Sequence, residues 1–441
     1  MDHIARLVER YFAVSNGALV IGDVAASKLA NEYGTPLFVY DGSVIEKKWR
    51  LLRSTFPGQF SIFYSAKANP NQAILRRFVA LGAGLEIASA GEFCQAVRAG
   101  CPPEKIIFAG PGKTEAELDL VLNQGIGEIH VESLLEAERI ARLAQGRGMY
   151  APVALRVNPT GDAEGGAMRM GGRPAPFGVD EEDLDPTLDQ ILSDDSLSLQ
   201  GIHLFSGTQI LDYRILISQY EKGLEIARRV SSRLGRPIHT LDFGGGLGIP
   251  YFPHEQELDM PSLRESLLPL LAAAHRDSMM AGTRYCIEPG RYLVGEAGIY
   301  VTRITDIKVS RGKKFLIVDG GMNHHLAASG NLGQTIKRNY PVAVLNRLDA
   351  PAEEVVDVVG PLCTPLDVLA RGVNLARAKV GDCVGIFQSG AYARSASPVL
   401  FLSHPAPPEV WTEGGEHRLI RRRGQTDDYL RDQIPESETV H

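Results

Sequence analysis

FSIFYSAKANPNQAILRRFVALGAGLEIAS, residues 60–89, is the stretch that decides how the chain reads. A β-branched and aromatic run over 60–67 ends on Lys67 and an Asn-Pro-Asn turn. Apolar residues then return at helical spacing over 71–82, glycines stop that helix, and a second short apolar run follows at 84–89. Strand, helix and strand in so few residues make the crossover unit of a parallel sheet.

The same unit repeats outward along the chain. IIFAG (106–110), GEIHVES (127–133), APVALRVNP (151–159), LQGIHLFSG (199–207), IHTLDFGGG (238–246) and RYCIEPG (284–290) read as further strands, which brings the strand count to eight. AGEFCQAVRAG, TEAELDLVLNQG and LLEAERIARLAQG lie between strands and carry helical periodicity with glycine stops. The pattern predicts an α/β fold, a (β/α)8 TIM barrel over 36–290 with its chemistry in the loops at the carboxyl ends of the strands. Beyond 290 come AGIYVTRITDIKVS, KKFLIVDGG, EVVDVVGPLC, GDCVGIFQSG and PVLFLSHPAPPEVWT, strands without regular helices. They predict a second, β-rich domain from 1–35 together with 291–420, followed by a C-terminal tail over 421–441. GDAEGGAMRMGGRPAPFG (161–178) is long and rich in glycine and proline, and reads as a lid.

Composition limits the functions open to the chain. With 441 residues, 44% of them hydrophobic, it can fill two cores, which argues against disorder. A net charge of -7 with no long basic run argues against nucleic acid as a partner. Five scattered cysteines without a C-x-x-C pair suggest neither a disulfide framework nor a zinc site, so no metal and a reducing cytoplasm are expected. No window approaches the roughly 20 apolar residues of a membrane span, and no basic start precedes an apolar core, so a soluble, unexported protein is expected.

The residues that carry chemistry stand at strand ends. Lys67 brings an amine to the barrel mouth, where shielding lets it lose a proton and form an imine. Gly244, Gly245 and Gly246 close the seventh strand, the usual phosphate corner of such barrels, where missing side chains let backbone N–H groups approach an anion. Glu288 and Arg291, in EPGR after the eighth strand with Gly290 between them, offer a carboxylate and a guanidinium on one turn. His203 ends the sixth strand with an aromatic ring, and Ser206 three residues later offers a hydroxyl donor. Each has a plainer reading: a surface lysine, a tight turn, a surface ion pair, a core histidine. Their joint occurrence at one barrel end favours a site.

Taken together, YSAKANPN, HLFSGTQ, DFGGGLG, EPGR, GPLCTPLD and QSGAY resemble the alanine racemase-fold (fold-type III) PLP decarboxylases, which act on diaminopimelate, ornithine and arginine. The resemblance runs from TPLFVYD (35–41) to SHPAPPEV (403–410). It implies pyridoxal 5'-phosphate (PLP) as cofactor and Lys67 as its Schiff-base lysine. It also implies His203 stacking on the ring, Glu288 on the pyridine nitrogen, and Ser206, Gly244 to Gly246, Gly290 and Arg291 around the phosphate. Arg291 could instead hold a substrate carboxylate. Tyr392 would sit at phosphate or substrate, and Cys363 would reprotonate a quinonoid intermediate. A homodimer with shared active sites is implied too, with Cys363 and Tyr392 reaching the site from the β domain of one subunit or the other. The racemases of this fold place an arginine against the pyridine nitrogen, and Glu288 sets this chain apart from them.

Departures from the family pattern bear on substrate. Diaminopimelate decarboxylases carry an acidic residue after the cysteine and an arginine after GMN; here those positions hold Thr364 and Ala327. A buried charge without a partner costs several kcal/mol, so a substrate with a distal charge fits poorly. GMNHHLAASGNLGQTIKRNYPV, GPLCTPLD, FQSGAYARSASP and RRRGQTDD look most like the exosortase-associated decarboxylases and those acting on an aminoacyl group held by an acyl carrier protein. A glutamyl-like tethered substrate is therefore expected, with a basic docking surface at Arg169 and Arg173 or at Arg421 to Arg423. Pro176 replaces the family's usual lysine before the FG of the lid. His324 and His325 read as distal-pocket residues or as loop residues. A decarboxylase of a free amino acid, diaminopimelate- or ornithine-like, is the alternative. A non-catalytic PLP-binding regulatory homologue is the alternative of another class.

Overall fold

The computed structural model describes residues 3–160, 174–205, 207–332, 334 and 337–434, together with the backbone of 168–169. Contacts divide the chain into two units: 48–250 with 256–292, and 1–47 with 251–255 and 293–441.

The first unit is a closed parallel barrel. Its strands are β1 (Phe60–Ser65), β2 (Gly84–Ile87), β3 (Ile106–Phe108), β4 (Glu128–Val131), β5 (Ala151–Asn158), β6 (Leu197–Leu204), β7 (Thr240–Asp242) and β8 (Arg284–Ile287). Each pairs with its sequence neighbour, and β8 closes the ring on β1 through Ile287 opposite Ile62. Short turns hand each strand to the next helix through a side-chain cap: Asn71, Ser89, Thr114 and Ser133 each accept from a first-turn N–H. Such caps end the strands sharply and so hold the loops after them.

The strands are not apolar on both faces. Leu85, Ile107, Ile129, Val131, Leu155, Ile202 and Leu241 are buried apolar positions, whereas Glu86, Glu128, His130, Arg156, His203, Thr240 and Asp242 on the same strands are buried and polar. Contacts between strands that are not neighbours, such as Thr240 of β7 donating to Glu128 of β4 at 2.7 Å, can only run through the barrel interior. The two-residue alternation of a strand therefore puts the apolar set against the helices and a polar set inside.

The second unit is built on a thirteen-residue strand, Gly298–Ser310, which pairs with Leu37–Asp41, Cys383–Ile386 and Lys313–Val318. Leu37–Asp41 thus belongs to this sheet, and the barrel unit starts at Lys48 rather than at 36. Val342–Val344, Val368–Ala376 and Glu416–Arg421 are further strands absent from the sequence reading. In PVLFLSHPAPPEVWT only Glu409 onward is strand; Phe401–Ser403 forms a single 3-10 turn in which Leu402 and Ser403 have φ of 55° and 56°. Arg421 ends the last strand, so the tail is continuous with the sheet. Among the described residues no helix is long and apolar enough to cross a membrane.

Candidate active site

Lys67 lies two residues past β1, on the 3-10 turn Ala66–Ala68, with its side chain about half exposed. Its Nζ donates to both oxygens of the buried Glu86, at 3.0 and 3.1 Å, and Ser65 donates its hydroxyl to the same carboxylate. Ser65 stands opposite Glu86 in the β1–β2 register, so adjacent strand ends aim the lysine and its anion at one place.

His203, near the end of β6, is buried and lies face to face with His130 of β4, ring centroids 4.2 Å apart and planes 23° apart. Neither ring nitrogen of His203 makes a hydrogen bond; Nε2 comes within 3.5 Å of Glu288 Oε2. Burial above all, and then the neighbouring His130, hold its pKa well below the usual imidazole range, so the ring is neutral.

Glu288 follows β8, its backbone N–H donating to Gly244 O at 2.8 Å. The carboxylate is buried, and Oε1 has no hydrogen-bond partner. Asp242, at the end of β7, accepts from Gly244 N at 2.8 Å through Oδ1. Burial and the nearby Glu288 push its pKa well above the usual carboxylate range. The glycines after β7 are required by close backbone packing: a Cβ on Gly244 would meet Leu204 O at 2.6 Å, and one on Gly245 would meet Glu288 O at 2.5 Å. Gly244 and Gly246 also have φ of 69° and 97°. A Cβ on Gly290 would lie 2.9 Å from that of Ala68. Arg291 opens the short helix Arg291–Val294.

The point where the long loop rejoins the barrel is held by charge. Gly178 N donates to Glu132 Oε2 at 3.0 Å, and Arg156 pairs with Glu132 Oε1 at 2.6 Å while its guanidinium lies 5.0 Å from the Phe177 ring centre. Ser206, and Arg169 and Arg173 of the expected docking surface, lie outside the residues whose side chains are described.

In the second unit, Cys363 is exposed and Tyr392 half-buried, the latter at φ 54°. Asp367 organises the GPLCTPLD turn: its two oxygens accept from Leu362 N at 2.8 Å and Met322 N at 2.7 Å, tying the cysteine loop to GMN. His324 and His325 are neither open loop residues nor open pocket lining. His324 Nδ1 is 3.0 Å from Tyr300 Oη, His325 Nε2 is 2.9 Å from Ser389 Oγ, and burial lowers both pKa values to about 3. Ala327 is also buried. Arg421 pairs with Glu409, Arg422 with Asp428, and Arg423 donates to the carbonyls of Tyr33 and Pro36, so these three cations are already engaged within their own unit.

Glu86, His130, Glu128, Asp242 and Asp367 were not singled out from sequence. For the barrel residues the signal was present: in EIHV two polar residues two apart interrupt an apolar strand, which marks one face as polar.

Residues 43–295 match the family described as pyridoxal-dependent decarboxylase, pyridoxal binding domain. The chain belongs to the pyridoxal-dependent decarboxylases. It is 39% identical over 409 residues to the L-glutamyl-[BtrI acyl-carrier protein] decarboxylase of Niallia circulans, covering 92% of this chain and 95% of that protein. It is 33% identical to the diaminopimelate decarboxylase of Zymomonas mobilis, covering 96% and 98%. The crystal structure of the diaminopimelate decarboxylase of M. jannaschii superimposes with a TM-score of 0.89 at 27% identity over 98% of this chain and 99% of that one.

The barrel residues of this decarboxylase suit its pyridoxal cofactor. A flat ring would find a neutral imidazole in His203, a pyridine N–H would find the buried Glu288 Oε1 that makes no hydrogen bond, and a phosphate would be offered the backbone of a turn whose close packing excludes side chains. Among the described residues, His130, His203 and Glu288 are also the one set of histidine, cysteine and carboxylate ligand atoms within 4.8 Å of one another. Stacked rings direct their lone pairs in parallel planes rather than at one point, which suits a ring better than an ion.

Proposed function

We propose that this PLP-dependent decarboxylase removes the α-carboxylate of an aminoacyl group, glutamyl-like, carried on an acyl carrier protein. The observation that carries this reading is the near full-length 39% identity to a relative named for that reaction. It agrees with Thr364 and Ala327 standing where diaminopimelate decarboxylases carry charge: a substrate whose far end continues as a carrier arm has no distal charge to pair.

When bound, the cofactor supplies an electron sink for the pair left by departing carbon dioxide. Lys67 would hold it through Nζ, with Glu86 keeping the amine aimed at the same point while the substrate displaces it during turnover. Glu288 would keep the ring nitrogen protonated and His203 would lie flat against the ring. The N–H groups of Gly244 to Gly246, with Ser206, Gly290 and Arg291, would hold the phosphate. Cys363 would return a proton to the substrate carbon, and Tyr392 would contact phosphate or substrate. Both come from the second unit of a homodimer working in the cytoplasm. The acidic carrier would meet basic contacts at Arg169 and Arg173 or at Arg421 to Arg423, the last three of which also make contacts within their own unit.

The test is intact-mass analysis of a glutamyl-loaded carrier incubated with the PLP-loaded enzyme, beside free amino acids assayed for carbon dioxide. Loss of one carbon dioxide from the carrier with the free acids inert is expected. Turnover of a free acid with the carrier untouched would return the chain to the free amino-acid decarboxylases.

A further inference from the structure

Two histidines, not one, fill the floor of this barrel. His130 is fully buried in the middle of β4, on the same face as Glu128 two residues before it. Its Nε2 lies 3.1 Å from Glu128 Oε1, and the other oxygen of Glu128 accepts the Thr240 hydroxyl at 2.7 Å from β7. Whichever partner donates, the ring cannot turn without breaking this hydrogen bond in a low-dielectric interior.

His203 has no such anchor. Both its ring nitrogens are buried and make no hydrogen bond, so packing alone sets its plane. The flat surface against it is the His130 ring, 4.2 Å away and 23° from parallel. His130 Nδ1 also lies 3.8 Å from Glu288 Oε1, which places the same ring behind the carboxylate assigned to the pyridine nitrogen.

We propose that His130 is a positioning residue: Thr240, Glu128 and His130 form a buried support that fixes the plane of His203 and so the surface on which the cofactor ring lies. This rests on the stacking role given to His203 above. No substrate or cofactor atom need touch His130; it acts through its neighbour.

The test uses apoenzyme titrated with PLP, reading Kd by fluorescence quenching and the visible circular dichroism of the bound cofactor, with melting temperature as the control for folding. His130→Ala is expected to weaken PLP binding by roughly tenfold, the upper range for losing one aromatic pair, and to shrink the dichroic band. His130→Phe, which keeps the stack but loses the hydrogen bond that fixes its plane, should recover part of the affinity while the dichroic band stays reduced. Wild-type Kd and dichroism in His130→Ala would sink the inference, as would equal damage from alanine and phenylalanine. His203→Ala separates the two readings. If it too is silent, the stacking role of His203 fails; if it alters the band while His130→Ala does not, only the support fails. Should His130→Ala not fold, the near-isosteric Thr240→Val decides. A reduced band at unchanged melting temperature supports the chain of contacts, and an unchanged band overturns it.

Discussion

Asp367 shows how a residue given no chemical role can hold the loop of one proposed to have such a role. Its carboxylate holds the N–H group of Leu362, next to Cys363, and that of Met322 in the GMN segment. Asp367→Ala should cost about 2 kcal/mol or more, since each hydrogen bond to a charged group is worth ~1.5–3 kcal/mol, and should lower turnover with PLP affinity unchanged. Denaturant unfolding beside a PLP titration checks both. Cys363→Ala should lower turnover of the loaded carrier by about a hundredfold or more, the usual range for a positioned proton donor, with the cofactor still bound. Unchanged turnover in single-turnover mass analysis would remove the cysteine from the reaction. Lys67, His203 and Glu288 could be picked out from motifs because each ends a strand that local periodicity reveals. EIHV marked a polar strand face at Glu128, but what Glu86, Glu128 and Asp367 do was not legible, because it lies in which distant atoms they meet.

Among the elements, the turn after β7 is tightly constrained. Gly245 has no unusual φ, yet a Cβ there would press on Glu288 O at 2.5 Å. Gly245→Ala should therefore push the glutamate's backbone away from Gly244, cost roughly 1–3 kcal/mol of stability as overpacking does, and weaken PLP binding. A variant with wild-type melting temperature and Kd would show that the turn gives way freely. All eight barrel strands were legible because each is a short apolar run between helices with clear caps and stops. The run 398–403 was misread for a related reason: PVLFLS is as apolar as a strand, but Pro398 lacks a donor and left-handed φ at Leu402 and Ser403 breaks extension. The structure leaves Leu400 and Leu402 exposed.

For the molecule taken together, buried neutral histidines set a dependence on acidity. His324 and His325 have folded pKa values of about 3 against 6.5 for a free imidazole. Above about 6.5 both folded and unfolded forms are neutral and nothing changes. As pH falls below that, the unfolded chain takes up protons that the native one refuses, so stability drops through the window from 6.5 toward 3. At a pH of about 5 each site should cost ~2 kcal/mol. Carboxyls raised by burial, such as Asp319 and Asp367, act in the opposite sense, so the histidine share is read from a variant. His325→Gln should lose less melting temperature than wild type between pH values of about 7.5 and 5; an equal loss would contradict the assignment.

Strand order, helix placement, membership of the decarboxylase family and the choice of most candidate site residues are local properties, carried by periodicity and short motifs within some thirty residues. Which residues meet was decided only by closure of the chain. Glu128 reaches Thr240 across 112 residues, and Leu37–Asp41 pairs with a strand that begins at Gly298. Burial, the neutral state of His203 and the unpartnered oxygen of Glu288 follow from that closure, because desolvation and hydrogen bonding depend on neighbours in space that no local spacing specifies.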